Sequence, residues 1–295
     1  MTELPTADAA AAVAHAAGSR PLGWRRVTGG GYTAAGRWLV DLDDGRRLFA
    51  KVGTTELVAG WLRTERRAYR EIAAPVMPRL EGWADGPVPA LLLEDLSDAH
   101  WPPPWEAGLV DRVLGALETV AGLPCPVWAP PIEEMTHIFS GWSNVADDPG
   151  PFLGLGMVSA RWLEAALPLL VANERPAELA GSALLHFDVR SDNVCFTTER
   201  TVLVDWNLVA RGNPLFDVAA WLPSLSFEGG PAPEEVRAEA GVFAPALAGY
   251  MCARAPLPTI PDAPHVRRVQ LEQASVALPW AARRLGLPAP DGPNA

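Results

Sequence analysis

The sequence predicts an α+β fold, a small antiparallel sheet with one helix followed by a larger, mostly helical part. Three observations predict it. Two apolar stretches flank an Asp-Asp-Gly turn at residues 43–45, a strong hairpin signal. Strand patterns gather before residue 96, and helical periodicities dominate after it. The division is therefore placed between residues 1–96 and 97–295.

Taken in order, the alanine run near the N-terminus suits a first helix; it has no basic flank and is not read as a signal peptide. "VTGGGYTAAG" (27–36) then places Gly29, Gly30 and Gly31 together, which either lets backbone amides approach a ligand or simply makes a turn. Strands follow at 37–42 and 46–52. A helix is expected over residues 56–73, with an apolar stripe of Leu57, Val58, Trp61, Leu62, Tyr69 and Ile72. "PALLLEDLSD" (89–98) is a short strand running into an acidic connector, and "WPPPWEAG" (101–108) reads as a linker. Beyond it, helical patterns lie near 108–122, 157–172 and 233–254, and another helix begins near 214–222. Between them "NVCFTTERTVLVDW" forms a hairpin that turns near Thr198–Arg200.

Composition narrows the function classes. With 49% hydrophobic and 20% charged residues in 295, the chain has ample material for a core. No apolar run approaches the roughly 20 residues that span a bilayer. Three widely spaced cysteines, Cys125, Cys195 and Cys252, form neither a zinc pattern nor a disulfide framework, so a reducing cytoplasm is expected. A net charge of −11 disfavours nucleic acid and favours a cationic small molecule.

Certain polar residues stand out against this background. Projected at helical spacing, Glu65 falls within the apolar stripe of residues 56–73. An inward carboxylate needs a partner, and Lys51 on the preceding strand is the natural one; the alternative is that Glu65 reaches solvent and Lys51 is an ordinary edge residue. In "HFDVRSDNV" (186–194), Asp188 and Asn193 stand five apart just before a strand, and Asp205 ends the returning strand. Antiparallel pairing brings Asn193 and Asp205 to one end of the hairpin. Two hard oxygen donors there suit Mg²⁺, and Asp188 can accept a proton from an attacking hydroxyl.

These motifs carry a resemblance. Lys51, Glu65, "LLLEDL" (91–96), "HFDVRSDN" (186–193), "VLVDWN" (202–207) and "NPLFDVA" (213–219) resemble the aminoglycoside phosphotransferase family, bacterial small-molecule kinases of the protein-kinase-like fold. The resemblance runs in the family's order over roughly residues 25–225. It implies a bilobal fold with a nucleotide-binding lobe (1–96) and a catalytic, substrate-binding lobe (97–295). It also implies ATP or GTP as phosphoryl donor, with Asn193 and Asp205 holding Mg²⁺ and Lys51, fixed by Glu65, on the phosphates. Backbone groups of Glu94 and Leu96 would meet the adenine, Asp188 would act as base, and Asp217 would pin the catalytic loop through backbone hydrogen bonds. Asp217 has a second reading as an acid that complements a helix N-terminus. His186 is read as structural. Arg190 either neutralises the transferred phosphoryl or forms a salt bridge with Asp192 or a surface carboxylate.

Two departures from protein kinases matter. "DWN" (205–207) replaces Asp-Phe-Gly, and eleven residues separate Asp205 from Asp217, too few for a long activation segment. A protein substrate is disfavoured. The expected acceptor is a small cationic hydroxyl compound such as an aminoglycoside, an amino sugar or an aminoalcohol. Its candidate contacts are Asp147, Asp148, Glu228 and Trp142, with Trp105 and Trp221 as further ring faces; each has a plain alternative as a solvated acid or core tryptophan. Antibiotic resistance, a metabolite kinase of choline, sugar or homoserine type, and a nucleotide-binding pseudokinase-like module all remain open. So does the choice between monomer and homodimer.

Overall fold

Where the chain reverses at Asp43-Asp44-Gly45, Gly45 adopts φ 86°, a left-handed conformation that a side chain would resist. The turn closes through Gly45 N–H to the Leu42 carbonyl (3.1 Å) and joins the second and third strands of a five-stranded antiparallel sheet. A computed structural model describes residues 4–28, 35–261 and 263–293. In chain order its elements are α1 (Ala7–Ala17), β1 (Pro21–Arg26), β2 (Gly36–Leu42), β3 (Arg47–Val52), α2 (Glu56–Glu71), β4 (Leu80–Ala84), β5 (Ala90–Glu94) and α3 (Leu109–Ala121). There follow α4 (Gly141–Asp147), α5 (Gly150–Leu153), α6 (Ala160–Ala172), β6 (Ala183–Leu185), β7 (Val194–Phe196), β8 (Thr201–Leu203) and β9 (Ala210–Gly212). The chain closes with α7 (Leu215–Phe227), α8 (Pro233–Arg237), α9 (Ala244–Arg254) and α10 (Val266–Arg284).

By packing, the chain divides into two compact units. The first takes residues up to 102 together with 192–209, so the β7–β8 hairpin packs with the N-terminal sheet although it lies well beyond residue 97 in sequence. The second comprises 103–191 and 210–295.

In the first unit the sheet order is β1-β2-β3-β5-β4. Side chains alternate across a pleated strand, and the two faces take different partners. Trp38, Val40, Leu48, Ala50 and Leu92 face α1, whose Ala9 and Val13 are buried against them. Residues of the opposite parity, Arg37 and Lys51 among them, face the other way. Among its described residues the unit carries α1, from the alanine run, and α2, from the stripe over residues 56–73. Helix α2 starts at Thr55, whose hydroxyl accepts from Val58 N–H (3.3 Å), as an N-cap should. Its buried face is Val58, Leu62, Glu65, Ala68 and Tyr69. Leu57, expected in this stripe, is 51% exposed, because the true face lies one residue further round.

The second unit is helical apart from the short β6–β9 pair. Helices α4 and α9 cross backbone to backbone: a Cβ on Gly141 would stand 2.1 Å from the carbonyl of Gly249. Trp142 fills the space beside that crossing, fully buried, with its Nε1–H donating to the Pro245 carbonyl (2.7 Å). The ring therefore belongs to the core of α4 and α9 and has no face to offer a ligand, which corrects its reading as a substrate contact.

Candidate active site

On β3 the alternation that buries Ala50 against α1 turns Lys51 to the opposite side, where α2 presents Glu65. The lysine Nζ lies 2.9 and 3.0 Å from the two Glu65 oxygens. It also lies 2.9 Å from Asp205 Oδ1, from a residue 154 positions away. Tyr69, one turn after Glu65 on α2, donates its hydroxyl to Glu65 Oε1 (3.0 Å). Burial, the largest influence on Lys51, would lower the pKa of its ammonium, yet Asp205 and Glu65 outweigh it and hold the group above its ordinary value. Burial pushes Glu65 above the usual carboxylate range, against the pull of Lys51. The expected Lys51–Glu65 pair forms, and Asp205 completes it as a third member.

Asp205 reaches this position through the hairpin. Val194 pairs with Leu203, and Val204 N–H donates to the Asn193 carbonyl (2.9 Å), so Asn193 and Asp205 stand at one end of β7 and β8. Asp205 adopts φ 69°, unusual for a residue with a side chain. Backbone and side-chain bonds secure the hairpin to the rest of its unit. Leu203 N–H donates to the Val76 carbonyl (2.7 Å), and His100 and Phe196 exchange two backbone bonds of 2.9 Å. Arg200 donates to the carbonyls of Pro75 and Met77 (both 3.0 Å) and pairs with Glu94.

Glu94 is thereby engaged. Its buried carboxylate also pairs with Arg79 (2.9 Å), and its N–H donates to the Arg79 carbonyl (3.1 Å). The Leu96 carbonyl accepts from Ala99 N–H and Trp101 Nε1–H, both at 3.1 Å. Of the backbone groups assigned to adenine, the Glu94 N–H is thus already spent. Gly29, Gly30 and Gly31 lie outside the described residues.

In the second unit the loop after β6 carries His186, Asp188 and Arg190. Asp217, the third residue of α7, is buried and accepts from the N–H of His186 (2.7 Å) and of Phe187 (2.9 Å). Burial pushes its carboxyl up to about 7 against the pull of these two amides. Phe187 is held at φ 69°, and its ring stacks on Phe216 (centroids 5.5 Å apart). His186 is fully buried, with Nδ1 placed to accept from Asp188 N–H at 3.3 Å. Asp188 pairs with Arg190 Nη1 at 2.9 Å, an arrangement that neither reading of Arg190 had included.

The remaining candidates scatter. Asp147 and Asp148 are exposed at the end of α4, with Asp148 accepting from Gly150 N–H (3.2 Å). Glu228 accepts from Ser191, in the loop after Asp188, and from Trp105 Nε1–H (2.9 Å). Trp105 packs against the buried Trp221 at 5.5 Å. Among the described residues no three His, Cys, Asp or Glu side chains group as a metal site, and no helix is long and apolar enough to cross a membrane. All three cysteines are free thiols. Sequence reasoning passed over Arg37 and Arg200; the signal for Arg37 was its place opposite Lys51 across the turn.

A model of the phosphotransferase enzyme family (APH) matches residues 24–250. No curated protein sequence matches the chain. Among solved structures it is similar to a choline/ethanolamine kinase family protein from Mesorhizobium loti, at 15% identity and TM-score 0.61, covering 95% of this chain and 98% of that one. It is also similar to the streptomycin–ATP ternary complex of APH(2'')-IIa, at 11% identity and TM-score 0.54, covering 85% and 92%. A putative fructosamine-3-kinase from Thermobifida fusca matches at 20% identity and TM-score 0.52, covering 94% and 97%. At these identities the likeness establishes the fold, that of the protein-kinase-like phosphotransferases.

Proposed function

The chain belongs to the phosphotransferase enzyme family, as an enzyme of the small-molecule kinase type, and we propose that it transfers the γ-phosphate of ATP or GTP, with Mg²⁺, to a hydroxyl of a small cationic molecule. The observation that carries this reading is the Lys51–Glu65–Asp205 cluster, with Nζ 2.9 Å from both carboxylates. A buried ammonium fixed on one side by Glu65 is a rigid point charge for a phosphate oxygen.

Asn193 and Asp205 are hard oxygen donors at one end of a hairpin, a set that fits Mg²⁺, which takes one or two protein oxygens and completes its shell with phosphate and water. When bound there, Mg²⁺ neutralises charge on the phosphates. Lys51 holds a phosphate oxygen, and Glu65 holds Lys51. The connector at Glu94 and Leu96 meets the adenine, less the N–H already spent. Asp188 aligns the acceptor hydroxyl and takes its proton, while Arg190, paired with it, fixes the carboxylate's orientation and adds positive charge for the transferred phosphoryl. Asp217 keeps the loop in register by accepting the His186 and Phe187 amides. In this reading the sheet unit is the nucleotide-binding lobe and the helical unit supplies the base.

A cationic acceptor is supported by the net charge of −11 and by neighbours described with streptomycin and as choline/ethanolamine kinases. Exposed Asp147 and Asp148 stay as candidate contacts. The test is a screen of aminoglycosides, amino sugars and aminoalcohols with ATP or GTP and Mg²⁺, read by mass gain of one phosphate. Nucleotide binding with no phosphate gain on any acceptor and no Mg²⁺-dependent hydrolysis would return the protein to the pseudokinase-like reading.

A further inference from the structure

Lys51 is not the sole cation on its face of the sheet. Arg37 on β2 is its direct cross-strand partner. Directly opposed residues share a face, with Cβ atoms about 4.5–5.5 Å apart. The register is pinned from the other side: Trp38 is buried in the core beneath α1, and the Arg26 guanidinium sits over its ring at 4.6 Å. With Trp38 fixed there, Arg37 must point toward Lys51. Its guanidinium is half-withdrawn from water and feels the charges of Asp205, Glu65 and Asp192.

We infer that Arg37 is a second ligand of the nucleotide's phosphate chain, acting beside Lys51. The inference deepens the kinase reading above and rests on it. Both Glu65 oxygens are engaged by Lys51, and Oε1 also accepts from Tyr69. Asp205 is the acid that the same reading assigns to Mg²⁺. Once Asp205 serves a divalent ion, less of its charge is left to compensate two cations on one face, and a polyphosphate restores the balance. The planar guanidinium suits this role because it presents paired donors to two phosphate oxygens, where Lys51 acts as a point charge.

Calorimetric titration of the wild-type chain, Arg37→Met and Arg37→Lys with Mg²⁺-ATP and with adenosine tests it. Charged hydrogen bonds of about 1.5–3 kcal/mol correspond to a loss of about ten- to hundredfold in ATP affinity for Arg37→Met. Adenosine binding is expected to stay the same, and Arg37→Lys should recover part of the loss. Equal weakening of ATP and adenosine, unchanged ATP binding, or loss of the fold in both variants would assign Arg37 to the sheet's architecture and overturn the inference. A wild-type chain that bound neither compound would instead bring down the kinase reading itself, and this inference with it.

Discussion

The Lys51 cluster and the loop carrying Asp188 both immobilise a charged side chain, by opposite means. Around Lys51, charge is held by charge: one ammonium shared between two carboxylates, assembled from a strand, a helix and a hairpin. Around Asp188 the anchor is the backbone, since Asp217 grips the loop through two main-chain amides. The first arrangement tolerates no change in charge count, because removing one member leaves the others buried and uncompensated. The second is sensitive to the anchor's acceptor geometry rather than to a count of charges. A site that must admit a polyanion and release it benefits from the first, and one that must hold a base in place from the second.

Substitution can break this comparison. The largest effect is expected at Lys51. Lys51→Met removes the ammonium shared by the buried Glu65 and Asp205 and should cost about 3–5 kcal/mol of stability, read by denaturant unfolding. A loss near zero would mean that the two carboxylates do not depend on the lysine. Next comes Asp188→Ala, expected to keep nucleotide affinity while turnover drops ~10²-fold or more; turnover near wild type would remove Asp188 from the chemistry.

Asp217→Asn follows, at about 1–3 kcal/mol, because an amide can accept only one of the two backbone N–H groups and turns a donor toward the other. Its pH dependence sharpens the point. The folded carboxyl is pushed up to about 7 by burial, above an aspartate's ordinary 3.8, so the native state binds the extra proton between those values. The stability linked to that proton is fully present below about 4 and is lost as pH rises through 7. Unfolding midpoints of wild type and Asp217→Asn across pH 4–8 should therefore converge as pH rises. Parallel curves would contradict a raised carboxyl. The smallest effect belongs to Trp142→Phe, about 0.5–1.5 kcal/mol from the lost bond to Pro245, with the acceptor KM unchanged; a raised KM would return Trp142 to the substrate site.

How legible these features were depended on the range of the interactions that make them. The β2–β3 hairpin and the β7–β8 hairpin are written locally, in the Asp-Asp-Gly turn and in the apolar runs flanking residues 198–200. The inward position of Glu65 follows from helical spacing alone. Asp205 beside Lys51 does not, since 154 residues intervene and no periodicity reports such a distance. Strand β1 ("PLGWRR") offers no clean alternation, and β6 and β9 are three residues each, stabilised by their pairing rather than by propensity. Helix α10 passed unread because its sequence carries no single apolar stripe and contains Pro279; it is helical through packing against α9 and α7. Trp142 admits two readings in the sequence, a ligand face or a core ring, and the Gly141–Gly249 crossing that makes its niche decides for the core.

The clasp of Arg200 on Glu94, Pro75 and Met77 has a practical corollary for anyone dividing this polypeptide. A fragment ending at residue 102 would be missing a piece that the sheet wears as its own, and with it the acid facing Lys51. Supplying residues 192–209 as a separate peptide, or grafting them onto the fragment's end, is the cut that respects how the molecule is assembled.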